Sequence, residues 1–155
     1  MSVSLKTVKD GITVNLKGLL DRGRAMQSFL NTNIYQMYQN IQRERWMTEN
    51  ASETEGWKSL STKYAAYKLK KYAGSEYGGD KMLIATGDLF KAVIGPGSGQ
   101  RKMVTNTKLY ISTDIPYAGY VDEKRNFTNY GQDSKDKFNN AIKDFVFFNI
   151  KRGVS

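Results

Sequence analysis

Asp21-Arg-Gly-Arg-Ala-Met26-Gln-Ser-Phe-Leu30-Asn-Thr-Asn-Ile34-Tyr-Gln-Met37-Tyr-Gln-Asn-Ile41-Gln-Arg-Glu-Arg45 is the stretch that sets the architecture. Met26, Leu30, Ile34, Met37 and Ile41 recur at spacings of four, four, three and four, the repeat of one helical face. A helix is predicted over about Asp21–Arg45, with Asp21 as N-cap because its carboxylate can accept a free backbone N–H of the first turn. Phe29, Tyr35 and Tyr38 widen the stripe. Such a face is expected to pack on a sheet of the same chain.

Working outward, Ile12, Val14 and Leu16 alternate with polar residues between Gly11 and Gly18, a half-buried strand. After the long helix, Glu49–Gly56 is polar and Gly74–Gly79 is glycine-rich, so extended, mobile loops are expected near 47–57 and 74–82. Between them Ser61 is placed to cap a second helix reaching Lys71. Thr86 is a candidate cap for a helical turn at Gly87–Lys91, and the β-branched run Ala92-Val93-Ile94 reads as a strand. Gly95-Pro96-Gly97-Ser98-Gly99 is the strongest turn signal in the chain. Arg101–Asn106 and Lys108–Thr113 read as strands, with Leu109 and Ile111 alternating against Tyr110 and Ser112.

Pro116 can open a short helix at Tyr117–Glu123. A last helix begins near Asp133 or Ser134, with Phe138, Ala141 or Ile142, Phe145 and Phe148 as its stripe. Phe147 and Ile150 lie off that stripe, so its end must be buried deeply or covered by a neighbouring subunit. The order of elements predicts one α+β domain over residues 1–155, a small antiparallel β-sheet packed against a long N-terminal helix and a C-terminal helix.

The 155 residues include no cysteine and no histidine. Disulfides and thiolate sites are excluded, and with histidine go the commonest general base and the commonest metal ligand. No acidic cluster suggests a carboxylate metal site, and no cofactor is expected. Twenty-four Lys+Arg against 15 Asp+Glu give a net charge of +9, which favours a polyanion or an acidic protein face. Neither a signal peptide nor a membrane-length apolar run is apparent, so a soluble protein made in the cytoplasm is expected.

Lysines and tyrosines interleave in Lys63–Lys71. That pattern can hold a phosphate backbone and stack on bases, although such helices more often bury their tyrosines and solvate their lysines. Gly78-Gly79-Asp80-Lys81 lacks the spacing of a phosphate-binding loop. Asp88 and Asp122-Glu123 are the only carboxylates worth weighing for a hydrolase, and nothing in the sequence shows the split environments such a pair requires.

Across about residues 20–150 the order of a few anchors resembles the tail-completion, or virion-morphogenesis, family of tailed bacteriophages. Trp46 and then Trp57, Leu60 and Lys68 follow the long helix. Leu83, Thr86, Gly87 and Leu89 match Leu-x-x-Thr-Gly-x-Leu. Tyr117-Ala118, then Arg125 and Phe127, then Ser134-Lys135-Asp136 complete the order. After Tyr-Ala the family continues with an aromatic or histidine and a glycine, where this chain has Gly119-Tyr120-Val121-Asp122-Glu123. The resemblance implies a virion structural protein, not an enzyme, located at the head–tail junction. It implies a homo-oligomeric ring of roughly six copies that contacts connector and tail-tube proteins and surrounds double-stranded DNA. A basic, sequence-nonspecific nucleic-acid-binding module is the alternative. If the ring encloses DNA, Lys63–Lys71 or Gln100–Lys108 should face the lumen, with Lys68, Lys70 and Lys71 ranked first because lysine offers diffuse charge.

Overall fold

The structure, a computed structural model, describes residues 21–53, 56–76, 79–95 and 99–152, with the side chains of the last helix described to residue 148. The strand expected at Ile12–Leu16 and the centre of the Gly95–Gly99 turn lie outside the described residues. Helix α1 occupies residues 21–47. Asp21 is already within it, so it is not the cap. α2 spans Thr62–Lys71, α3 Asp88–Ile94, α4 Ala118–Arg125 and α5 Gln132–Arg152. Strands β1 (Gln100–Val104) and β2 (Leu109–Thr113) pair antiparallel, from Gln100 opposite Thr113 to Val104 opposite Leu109. The protein is a small α+β fold.

α1 is not a uniform helix. Leu30–Ile34 forms a π turn, and the Tyr35 amide donates to the Leu30 carbonyl five residues back. The exposed Asn31-Thr32-Asn33 run explains the loosening: Thr32 Oγ1 donates to the Ser28 carbonyl at 2.8 Å, competing with the helical ladder. The stripe then divides its contacts. Ile34 faces β2, sharing a cavity of about 290 Å³ with Leu109, Ile111 and, from α5, Phe138. Met37 and Ile41 turn toward Ala141 of α5. The Phe29 ring stacks on Phe145 of α5 at 4.1 Å. Tyr38 donates to the Val93 carbonyl of α3 at 2.8 Å. Sheet and helices thus share the face that was expected to rest on the sheet alone.

Ala92-Val93-Ile94 is helical, which corrects the strand expected there. Leu89, Phe90 and Val93 all point inward from α3, and burying them outweighs the strand preference of a β-branched run. Gly87 precedes α3 at φ 90°, a conformation that glycine reaches without a Cβ clash. Ser61 caps α2 as expected, accepting from the Tyr64 amide at 3.4 Å.

The core gathers around Trp46, which is 1% exposed. Its ring meets Trp57, Phe90 and Phe127 with centroids 5.6–5.7 Å away. Met82, Ile84, Leu89, Val93 and Ala118 complete the cluster.

The two loops expected to be extended are tied down where they are described. Asn50, Ala51 and Glu53 donate backbone bonds to Arg45, Thr48 and Asn50, closing a compact turn. Glu49 Oε1 accepts from the Met82 amide at 2.8 Å, and Lys81 Nζ donates to the Met47 carbonyl at 3.0 Å. The loops therefore pin each other, because each supplies polar groups that the other leaves unmatched.

Candidate functional site

A cleft of about 820 Å³ opens between α2, the segment leading into α3, and α4. Helical periodicity decides what each wall presents. On α2 and its C-cap the inward positions are Ala65, Lys68 and Tyr72, three and four residues apart, while Tyr64 and Tyr67 are half exposed. Tyr64 stands on the cleft wall. Leu83, Thr86, Gly87 and Leu89 line the side nearest the core, and Tyr117, Tyr120 and Val121 form the wall before and along α4. Lys124 and Arg125, at the end of α4, add positive charge. Tyr120 is exposed, with Lys124 Nζ 5.6 Å from its ring centroid. Burial and the nearby Asp88 push the Tyr117 phenol above its usual pKa.

The anchors quoted from the sequence meet here. Trp57, Leu89, Ala118 and Phe127 are core residues, with Leu60 and Leu83 packed against them. Leu60, Leu83, Thr86, Gly87, Leu89, Tyr117 and Arg125 line the cleft. Arg125 also borders a smaller polar pocket with Trp57, Lys58 and Asn129, and its Nη1 donates to the Lys124 carbonyl at 3.2 Å. Asn126, between Arg125 and Phe127, ends α4 in the left-handed conformation at φ 50°, a helix stop that asparagine tolerates.

Lys68 does not face outward. It is 2% exposed, and its ammonium donates to the Lys81 and Met82 carbonyls. Burial lowers its pKa, while Glu49 and Asp80 act in the opposite sense. This corrects its ranking as a DNA-facing residue. Lys70 and Lys71 are exposed, and Lys71 lies 5.3 Å from the centre of the Tyr67 ring. The helix thus inverts the common arrangement: a lysine is buried while Tyr64 and Tyr67 are half exposed.

A second polar centre was missed in the sequence. Arg45 is buried. Its Nη1 donates to the Phe127 carbonyl at 2.9 Å, Nη2 to the Asn129 carbonyl at 2.8 Å, and Nε to Asn50 Oδ1 at 2.7 Å. The Glu53 carboxylate lies 3.9 Å from Arg45 Nε, accepts from the Gly131 amide at 2.9 Å, and accepts from Ser134 Oγ. Gln42 Nε2 donates to the Tyr130 hydroxyl at 2.8 Å. Burial lowers the Arg45 pKa, opposed by Tyr130 and Glu53. A signal was present: the α1 stripe, continued four residues past Ile41, falls on Arg45.

Asp122 accepts from both the amide and the hydroxyl of Thr128, at 2.8 and 2.7 Å, and Asp88 from Thr86 Oγ1 at 2.6 Å. These carboxylates hold turns. Among the described residues no three acidic side chains converge as a metal site would need, and no helix is long and apolar enough to cross a membrane. No family model, characterised protein or solved structure matches this chain. The cleft has aromatic walls, apolar lining from Leu60, Leu83 and Val121, and charged lining from Asp88, Lys124 and Arg125.

Proposed function

We propose that the protein is a structural subunit of a tailed-bacteriophage virion. It assembles into a ring at the head–tail junction, joins connector to tail and surrounds the DNA path. The observation that carries this reading is the convergence of the resembling anchors. Residues drawn from Trp57 to Phe127 build one continuous core and cleft wall, so the pattern corresponds to a physical unit. Exposed aromatic surface supports it further. Tyr64, Tyr67, Tyr117, Tyr120 and Phe147 remain open on a single copy, as expected of a subunit that meets neighbours. The net charge of +9 suits a wall that DNA slides past.

The test is location and mass. Electron micrographs of purified particles, with this subunit labelled, should place it in the neck, and the isolated protein should yield closed rings. Its absence from purified particles would overturn the reading.

A basic, sequence-nonspecific nucleic-acid-binding module is the second reading, favoured by the half-exposed Tyr64 and Tyr67 beside Lys71. Its mark would be a monomer that shifts short DNA at moderate salt. In either reading Lys70→Gln with Lys71→Gln should weaken DNA association and flatten its salt dependence by about one to two charges. A ring map placing both lysines more than roughly 8 Å, one Debye length, from any DNA would remove them from the lumen.

A further inference from the structure

We infer that the outer edge of β2 docks the β2 of a second copy, the two strands running antiparallel about a two-fold axis at Ile111. An isologous contact of this kind closes on two copies, so it goes beyond the ring reading and does not depend on it.

The hydrogen-bond phase of the hairpin leaves that edge open. The Asp114 amide donates to the Gly99 carbonyl and the Thr105 amide to the Lys108 carbonyl, both at 2.8 Å. Bonded pairs alternate along an antiparallel ladder, so in this register Lys108, Tyr110, Ser112 and Asp114 turn their backbone groups to β1. Leu109, Ile111 and Thr113 turn theirs away, and among the described residues nothing bonds those groups. The matching edge of β1 is taken. Gln27 of α1 donates to the Val104 carbonyl at 3.3 Å, and Lys102 Nζ lies 3.9 Å from the centre of the Tyr35 ring. β1 also carries Arg101 and Lys102, whereas Leu109–Thr113 has no charge, proline or glycine to discourage pairing.

A second β2 fits this edge. With Ile111 opposite Ile111 of the second copy, Leu109 meets Thr113, and every outward amide and carbonyl of both strands finds a partner. On the outer face Tyr110 is 45% exposed, directly opposite Met103 at 58%. The axis sets the two Tyr110 side chains diagonally across the seam, roughly 7–8 Å apart, and joins two apolar pairs that a single copy leaves open. On the inner face, Ile111 of the second copy lies beside the cavity bordered by Leu109, Ile111 and Phe138. Charge plays little part. Lys108 comes opposite Asp114 of the second copy, which its own Arg101 already holds at 2.6 Å.

Ser112 is exposed on the outer face and the chain has no cysteine, so Ser112→Cys carries one spin label without touching an outward backbone group. In the pair, two such labels sit diagonally across the seam on residues about 8 Å apart. Lys108→Cys, three residues from the axis on the same face, sets its labelled residues about 20 Å apart. Dipolar broadening should therefore rise with protein concentration at position 112 and be far weaker at 108. Thr113→Pro removes an outward amide and no bond to β1, so labelled S112C carrying it should keep its circular dichroism and lose the broadening. Labels at 112 that stay isolated at every concentration would overturn the inference, whether the edge is then bare or filled by another segment of the chain. Equal broadening at 112 and 108, or broadening that survives in folded T113P, would overturn it too. Broadening at 112 without any ring in micrographs would support this contact and defeat the ring reading. Rings whose 112 labels stay isolated would do the reverse.

Discussion

Arg45 bonds three backbone carbonyls of the 126–129 segment and the Asn50 side chain, so one guanidinium fixes the loop after α4 and the turn after α1. Arg45→Met would strand the Glu53 carboxylate and those carbonyls together. We expect a loss of about 3–5 kcal/mol in urea unfolding at neutral pH. Arg45→Lys should recover little, because an ammonium lacks the planar fork. A loss below about 1 kcal/mol for Arg45→Met would contradict this account. Lys68 makes a parallel case. Lys68→Ala removes the donor to two carbonyls and the packing of its stem, and should cost about 2 kcal/mol. Lys70→Ala, fully on the surface, should stay within about 0.5 kcal/mol. Equal effects in the two variants would show that the burial of Lys68 carries no energetic weight. Sequence patterning misjudged both buried cations for one reason. A charged residue on an inward position looks polar until the carbonyls that satisfy it are brought near by other segments.

At the scale of elements, the π turn of α1 sets the phase between its two halves. Deleting Asn31, an exposed residue inside that turn, should convert it to regular α-helix and rotate residues 21–29 by about 100° relative to the rest. Phe29 would then leave Phe145. We expect about 1 kcal/mol of destabilisation, with helical circular dichroism retained. Unchanged stability would show that the stack contributes nothing. Ile34→Asp should prevent soluble folding, since Ile34 is buried between β2 and α5 and a carboxylate there has no partner. A normally folded Asp variant would place the stripe on the surface. The stripe itself was legible. Its bend was not, because a π turn follows from competition between side chain and backbone rather than from hydrophobic spacing.

For the whole molecule, stability should fail on the alkaline side. Burial pushes the Tyr130 phenol up to about 12, while Gln42 and Arg45 pull it down. Burial, Tyr130 and Tyr35 raise Tyr38 well above its usual value. In the unfolded chain both phenols ionise near pH ~10. Above that pH the unfolded state binds fewer protons than the folded one, so their contribution is complete below pH ~10 and is lost as pH rises toward about 12. Lys68, with its lowered pKa, acts in the opposite sense just below its ordinary value. Denaturation curves between pH 9 and 12, taken as about the accessible range, should fall steeply, and Tyr38→Phe with Tyr130→Phe should flatten the fall. An unchanged slope in the double variant would remove the tyrosines as its cause.

Local sequence determined what depends on spacing and on near neighbours. The long amphipathic helix, the Ser61 cap, the β1–β2 hairpin strands and the aromatic last helix all follow from periodicities and short-range hydrogen bonds, whereas Pro116 stands before the Tyr117 cap of α4 and not at the first helical position expected of it. So does the linear order of anchors from Trp57 to Phe127. Tertiary structure alone decided that Val93 is helical, that Lys68 is buried while Tyr64 is not, and that Arg45 and Glu53 meet. It also brought Leu60, Leu83 and Tyr117 onto one cleft. The free energy of burying a side chain depends on what faces it, and those partners lie tens of residues away along the chain.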